Sequence, residues 1–465
     1  CIYIDPPYNT GNEGWIYNDN VNDPKIKKWL GEVVGKEGED LSRHDKWLCM
    51  MYPRLVLLQK LLAEDGAIFI SIDDNEHANL LLVCNEIFGS NNFIQDIIWN
   101  KRVSPARDAK FFSTDHEYIL VYSKNKESLT THFLPRTEKN NSYYKNPDND
   151  PRGPWNSAAY TCNKSRDERP NLYYPITNPY TGEKIFPKES AVWAYSEETY
   201  QQHVRDNLLY WGVNGEAKQP RKKAFLSEVG DVVPRSVWSH SDVGSTQKAT
   251  MENNTIFNMR AFSYPKVSTL VERIIQIASD KDSIVLDSFA GSGTTAHAVL
   301  NMNKSDGGNR KFILVEMGDY ADTITAERVK RVINGYGEGK NAVEGTGGNF
   351  SYYELGNPLF MQDGTINDEV DITEVRKYVW YTETNGIEYK EDIQEKYFLG
   401  SYNDTAYYFY YEKDRVTILD YEFLTSVHKK EQTYVMYADS CALSDSDLQK
   451  WNITFKKIPR DIEHI

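Results

Sequence analysis

Cysteine is scarce in this chain: five residues among 465, Cys1, Cys49, Cys84, Cys162 and Cys441, odd in number and never spaced as C-x-x-C. A disulfide framework and a thiolate zinc site are thereby excluded, and the pattern suits a reducing, cytoplasmic setting. The nine histidines include no H-E-x-x-H, which removes the zinc-protease arrangement. No apolar run approaches the ~18 residues that a membrane span requires. The charged, apolar and small-residue succession of a secretory leader is missing from the start. The chain opens on Cys1-Ile2 rather than on Met, so an upstream region is expected. Basic charge is in deficit as well, 53 Lys and Arg against 68 Asp and Glu, a net charge of -15. That deficit is uneven: residues 101–260 carry a positive balance, and residues 341–465 supply most of the acidity. Because fields beyond about 8–10 Å are screened at cellular salt, a local basic surface still binds phosphates. A polyanionic partner is therefore not excluded.

What the chain does have is 40% hydrophobic residues, enough for two to four domains at ~100–200 residues each. Its first stretch, Cys1-Ile2-Tyr3-Ile4-Asp5-Pro6-Pro7-Tyr8, reads as a buried strand ended by two prolines, neither of which has an N–H to give the ladder. In an open α/β sheet ligands bind at the carboxyl ends of the strands. Asp5, the carbonyls of Pro6 and Pro7, and Tyr8 are thus delivered to the reactive edge. The set suits a flat base bearing an amino group: Asp5 accepts from the exocyclic NH2, the carbonyl of Pro6 or Pro7 accepts a second hydrogen, and Tyr8 stacks on the ring. The following loop, Asn9 to Tyr17, is rich in Gly and Asn and suits closure over a bound nucleotide.

Apolar residues at helical spacing (Leu48, Met51, Leu55, Leu58, Leu62) predict a helix over 43–63, stopped by Asp65-Gly66. A strand Ala67–Ile72 and a helix His77–Phe88 come next. This alternation predicts right-handed βαβ units and a doubly wound, mainly parallel sheet. Phe93–Trp99 and Glu117–Ser123 read as two further strands. Between them Lys101, Arg102, Arg107 and Lys110 lie beside Phe111 and Phe112, a mixture suited to phosphate contact with base stacking. Over 125–255 the periodicity fails, but the stretch is rich in aromatics and carries basic clusters such as Arg221-Lys222-Lys223. It reads as a folded insertion that recognises a substrate through varied loops.

A second chemical centre follows. Ser283–Asp287 is a strand, Ser288-Phe289-Ala290-Gly291-Ser292-Gly293-Thr294-Thr295 a glycine-rich turn, and Ala296–Leu300 the start of a helix, an arrangement that offers bare backbone and a positive helix end to a ligand. A nucleoside-triphosphate loop would need Lys after Gly293, and none is there. A dinucleotide loop fits literally, since Gly291 to Ala296 match G-x-G-x-x-A and Glu316 ends the later strand Lys311–Val315. Asp287 tips the choice. An acid just ahead of the glycines repels a pyrophosphate and holds an ammonium, and Glu316 suits ribose hydroxyls, so S-adenosylmethionine is the ligand this turn expects; a dinucleotide-dependent oxidoreductase is the alternative.

The two centres together resemble the β-group of amino-methylating DNA methyltransferases, most closely the modification subunits of type III restriction-modification systems. The similarity rests on Asp5-Pro6-Pro7-Tyr8 with Asn9-Thr10-Gly11-Asn12, Ile70-Ser71-Ile72-Asp73-Asp74-Asn75-Glu76, His116-Glu117-Tyr118-Ile119-Leu120, Tyr264-Pro265-Lys266, Asp287 to Gly293 and Thr294 to Val299. Val267 stands where family members often carry a second proline. The resemblance implies a circularly permuted motif order, with the catalytic tetrapeptide ahead of the cofactor loop. It implies catalysis by Asp5, Pro6, Pro7 and Tyr8, and cofactor contacts at Lys266, Asp287, Phe289, Ala290, Gly291, Ser292, Gly293, Thr294 and Glu316, with Lys266 near the methionine end. It implies transfer to adenine N6, with cytosine N4 the alternative. DNA contacts are expected at Lys101, Arg102, Arg107, Lys110, Arg221, Lys222 and Lys223. The expected domains are a catalytic half (1–124), a recognition insertion (125–255), a cofactor half (256–345) and an acidic C-terminal α/β domain (346–465). The expected partners are double-stranded DNA, a second copy of the chain and a restriction subunit.

Overall fold

A computed structural model describes residues 1–10, 43–107, 109–361, 363–390 and 395–462. The expected loop after the tetrapeptide lies from residue 11 onward outside the described residues. The chain divides into two compact units, Cys1–Phe350 and Ser351–Ile465.

The first unit is built on a seven-stranded sheet. Its strands are β1 (Ile2–Ile4), β2 (Ala67–Ile72), β3 (Phe93–Asn100), β4 (His116–Ser123), β8 (Val237–Trp238), β9 (Ile284–Asp287) and β10 (Lys311–Leu314). Across the sheet they run in the order β8, β3, β4, β2, β1, β9, β10. The pairs β8/β3, β2/β1, β1/β9 and β9/β10 are parallel. Strand β4 runs antiparallel to both β2 and β3, so the sheet is mainly parallel, as expected, and made mixed by this one strand. The reason is the connection: β3 and β4 are joined by a loop without a crossover helix, and a strand that returns directly must return antiparallel.

Alternating side chains on these strands feed two cores, as the period of two requires. Tyr3, Phe69, Trp99, Ile119 and Val285 face α3 (Thr246–Phe257), α4 (Ser268–Ala278) and α5 (Thr294–Asp306) on one side. Ile2, Ile4, Ile68, Ile70 and Leu120 face α1 (Arg43–Leu61) and α2 (His77–Cys84) on the other. In α1 the expected spacing holds, with Met51, Leu55 and Leu58 buried together with Trp47 and Met50. Pro53 sits inside this helix, and next to it the Arg54 guanidinium donates to the Met50 carbonyl at 2.7 Å.

The aperiodic stretch contains a three-stranded antiparallel sheet, ordered β6 (Leu209–Tyr210), β7 (Arg221–Phe225), β5 (Trp155–Ala159). An aromatic core of Tyr160, Tyr174, Trp193, Tyr200 and Trp211 lies in the same stretch. The chain returns to the main sheet at β8, ahead of residue 255. In the second unit α7 (Ile372–Thr384) packs on a four-stranded sheet of β11 (Phe398–Tyr402), β12 (Thr405–Phe409), β13 (Thr433–Ala438) and β14 (Ile453–Lys457). No helix among the described residues is long and apolar enough to cross a membrane.

Candidate active site

Strands β1 and β9 are parallel neighbours, with Ile2 opposite Leu286. Asp5 just beyond the one and Asp287 at the end of the other therefore emerge at the same sheet edge. The Pro-Pro turn is tied down from the α1 side: the Trp47 indole donates to the Pro7 carbonyl at 2.7 Å. Of the two proline carbonyls, that of Pro6 is the one this bond leaves for a ligand. Asn9, at φ 60°, donates to buried Glu76, which also bonds His44 at 2.7 Å and Asn79 at 2.8 Å. The acid that closes the run Asp73-Asp74-Asn75-Glu76 is thus the anchor of the tetrapeptide loop.

Around Asp5 stands a cluster of four charges. Lys266 Nζ donates to both Asp5 oxygens, at 2.6 and 2.7 Å, and to the Tyr8 hydroxyl at 2.8 Å. That hydroxyl donates in turn to Glu117 Oε2 at 2.9 Å, and Lys101 Nζ bonds Glu117 Oε1 at 2.9 Å. Lys266 is also 3.6 Å from Glu117. Two carboxylates and two ammonium groups make the cluster neutral, which is how charges survive at this depth. Burial raises the Asp5 carboxyl above its ordinary value, with Lys266 opposing and Glu117 adding to the rise. For Glu117 burial acts upward too, but Lys266 and Lys101 together overcome it and leave the carboxyl below its ordinary value. Burial would depress the Lys266 ammonium, yet Asp5 and Glu117 hold it above its usual range.

Two residues have partners here besides the expected ones. Lys266, expected near the methionine end of a cofactor, places its ammonium on Asp5 and Tyr8. Lys101, expected on phosphate, has a side chain 19% exposed and paired with Glu117.

The glycine-rich turn lies alongside. Gly291 and Gly293 have φ of 51° and 80°, and a Cβ on Gly293 would stand 2.9 Å from the Thr325 carbonyl oxygen. Asp287 is enclosed, its oxygens accepting from the Phe289 amide at 3.0 Å and the Thr295 hydroxyl at 2.5 Å. Its carboxylate, expected to hold a ligand's ammonium, is folded back onto its own turn. Burial foremost, with Asp5 and Glu316 adding repulsion, pushes this carboxyl up to about 7. Among the described residues no cationic side chain pairs with Asp287, and a cationic ligand fits that environment. Glu316, expected on ribose hydroxyls, accepts from the amides of Gly291, Met317 and Gly318 at 2.7, 2.9 and 2.8 Å. The Ser288 hydroxyl is buried without a hydrogen-bond partner among the described residues, a vacancy in hydrogen bonding that a polar ligand in the turn would fill. Phe289 sends its ring into the core and Ala290 is buried, so both meet a ligand through main chain only. Ser292 and Thr294 turn their hydroxyls to the fully buried Arg328, at 2.9 and 2.8 Å. Thr294 also donates to the Lys266 carbonyl at 3.2 Å, which joins the turn to the Asp5 cluster.

The basic positions separate. Arg102, Arg107 and Lys110 are exposed, with Phe111 and Phe112 beside them 82% and 92% exposed. Along β7 the three residues Arg221-Lys222-Lys223 meet different surroundings. Arg221 is exposed and bonds the Ser157 hydroxyl and carbonyl, both at 2.8 Å, and Lys222 lies over the Tyr195 ring. Lys223 is buried between Asp148 at 2.5 Å and Asp150 at 2.8 Å, so its expected DNA contact is corrected: its ammonium is consumed by two internal carboxylates. Glu117, Trp47, Glu76 and Arg328 had no assigned role in the sequence. For Glu117 a signal existed: it shares the inward face of β4 with Ile119 and Val121, and a charge at such a position demands a buried partner.

Asp5 and its charged neighbours thus stand beside a glycine-rich turn at one sheet edge, and the chain belongs to the DNA methylase family, whose model matches residues 1–327. It is 36% identical over 359 residues to the type III restriction-modification enzyme StyLTI Mod subunit of Salmonella typhimurium, covering 71% of this chain and 53% of that one. It is 33% identical to the EcoPI Mod subunit of Escherichia phage P1, covering 68% and 53%. To the type II methyltransferase M.KpnI of Klebsiella pneumoniae it is 34% identical, covering 68% and 74%. The chain spans about half the length of the two Mod subunits. Among solved structures the cytosine-N4-specific PvuII DNA methyltransferase aligns at 11% identity with a TM-score of 0.35, over 70% of this chain and 78% of that one.

Proposed function

We propose that this chain is a site-specific DNA methyltransferase that moves a methyl group from S-adenosylmethionine to N6 of an adenine flipped out of the duplex, as the modification subunit of a type III restriction-modification system. One observation carries the reading: adjacent parallel strands bring Asp5 and the glycine-rich turn to one sheet edge, and Lys266 joins them, side chain to Asp5 and carbonyl to Thr294. The cofactor supplies a methyl group on a sulfonium, whose positive charge suits the carboxylates Asp5, Asp287 and Glu316. Its contacts fall on the main chain of Phe289 to Thr294, with Gly291 and Gly293 allowing close approach.

Asp5 and the Pro6 carbonyl hold the two amino hydrogens of the target base, which turns the nitrogen lone pair toward the methyl group, while the Tyr8 ring supports the base in its extrahelical position. Orientation and electrostatics then suffice, and no covalent bond to the protein is required. Arg102, Arg107, Lys110, Arg221 and Lys222 contact phosphates. Residues 125–255 read the target sequence in a circularly permuted methyltransferase, and the acidic residues 346–465 meet a second copy or a restriction subunit. The protein acts in the cytoplasm.

The test is methyl-labelled S-adenosylmethionine with mixed-sequence duplex DNA, followed by nucleoside analysis. The expected product is N6-methyladenine, lost in an Asp5→Ala variant that still binds cofactor. N4-methylcytosine would overturn the choice of base. An unlabelled duplex, together with binding of a nicotinamide cofactor, would overturn the class.

A further inference from the structure

The contacts of Lys266 go beyond what this mechanism uses. Its ammonium takes both oxygens of Asp5, at 2.6 and 2.7 Å, and these are the oxygens a target amino group must reach. Its stem is largely covered, with the side chain 10% exposed, while Asp5 remains 24% exposed. Behind it Glu117 is 8% exposed and is itself held by Lys101.

We propose that Lys266, steadied by Glu117, is the positioning cation of the target pocket: it keeps Asp5 ionised and aimed, and yields one of the two oxygens when an amino group arrives. The proposal rests on the methyltransferase reading and assigns to Lys266 a place different from the cofactor end. Asp5 can accept a hydrogen from an amino group only as a carboxylate, and burial together with Glu117, which faces it from β4, opposes that state. Tyr3 and Asp287 stand behind it on β1 and β9, and Tyr8, which follows it in the chain, favours the carboxylate through its hydroxyl. Lys266 alone among these brings positive charge onto Asp5. Glu117 acts in the reverse sense on Asp5, and it limits how tightly Lys266 can close on the carboxylate by drawing the ammonium toward itself and toward the Tyr8 hydroxyl. When the base arrives, Lys266 keeps the second Asp5 oxygen and Tyr8 as partners, so no buried cation is stranded.

The two neighbours give pH shifts of opposite sign, which a merely structural role would not produce. In the full chain, Lys266→Met should move the acid limb of the methyl-transfer rate to higher pH by ~1–3 units, the usual influence of an opposite charge in contact. Lys266→Arg should restore the limb, which guards against misfolding as the cause. Glu117→Gln should move it to lower pH. Affinity for S-adenosylmethionine by calorimetry should stay within about threefold in Lys266→Met, because the contact removed lies on Asp5. The Asp5 carboxyl itself is followed by infrared titration, taking the difference between Lys266→Met and the same variant carrying Asp5→Asn. Its band should titrate at higher pH than in the parent, whether or not DNA is methylated. An unmoved Asp5 titration overturns the proposal, as does an unmoved acid limb with cofactor affinity lowered tenfold or more. A parent protein that transfers no methyl group would overturn the enzymatic reading separately, while the infrared titration still decides the role of Lys266.

Discussion

Arg328 offers the sharpest test of how the glycine-rich turn is held. It lies on α6 (Glu327–Asn334) with no solvent exposure, and its guanidinium reaches Ser292, Thr294, His297 and Glu252 at 2.9, 2.8, 3.0 and 3.3 Å. Replacing it with Met fills much of the space but leaves the Glu252 carboxylate, 13% exposed, without its guanidinium. Removing one member of a buried ion pair costs about 3–5 kcal/mol, because the remaining charge is uncompensated. That is a large part of a typical domain stability of ~5–15 kcal/mol. Urea unfolding with hydrogen exchange read on peptides spanning 288–300 reports on this unit separately from residues 351–465. Arg328→Met should show the loss there, and adding Glu252→Gln should recover at least ~1 kcal/mol of it, since the stranded charge is then gone. A loss below ~1 kcal/mol, or a double variant as unstable as the sum of the singles, would refute the account.

Gly293→Ala forces a side chain into the left-handed region, at ~1–2 kcal/mol, and onto the Thr325 carbonyl; S-adenosylmethionine affinity by calorimetry should fall about tenfold or more, and unchanged affinity would sink the assignment of the turn. Lys223→Met should lower stability and leave the salt dependence of DNA binding as it is, whereas neutralising Arg221 and Lys222 should flatten the log-log slope by about one unit per lost phosphate contact; a flattened slope in Lys223→Met would contradict its burial. His297, which burial and then Arg328 push down to about 3, binds its proton more readily when unfolded, with an ordinary value of about 6.5. Its contribution to stability is therefore present above pH ~6.5 and lost as pH falls below it, by about 1.4 kcal/mol per unit. Asp287, raised to about 7, acts with the opposite sign in an overlapping window, so the effect must be read as the difference between parent and His297→Asn. A difference that stays flat from pH 7 to pH 5 would rule it out.

Much of the scaffold was legible because periodicity is a local property. Ala67–Ile72 appears with the expected bounds, and the expected strand Glu117–Ser123 extends by one residue to His116. The two centres were legible because their turn chemistry is local as well: prolines end β1, and glycines with positive φ open α5. What the sequence hid was pairing at long range. The indole on Pro7 comes from 40 residues away, and the ammonium on Asp5 from 261. The burial of Lys223 escaped notice because β7 lies in a stretch without periodicity, and a run of three basic residues reads as surface until the two aspartates that enclose one of them are known. The antiparallel turn of β4 was readable in principle, since the loop between it and β3 carries no helical pattern.

The bond from Trp47 to the Pro7 carbonyl gives the proposed target pocket two walls of different stiffness. One wall is fastened to α1, whose Trp47, Met50, Met51 and Leu55 share a packed core with Ile4, so it shifts only when the interior shifts. The facing wall is an ammonium on a four-carbon stem, held by hydrogen bonds to Asp5 and Tyr8 and not by a bond to the main chain. A planar guest is thus gauged against a fixed jaw and accommodated by a yielding one. Distances at the fixed jaw are inherited from packing completed during folding, and substitutions on the yielding side can retune which guests are admitted without asking the sheet to fold differently.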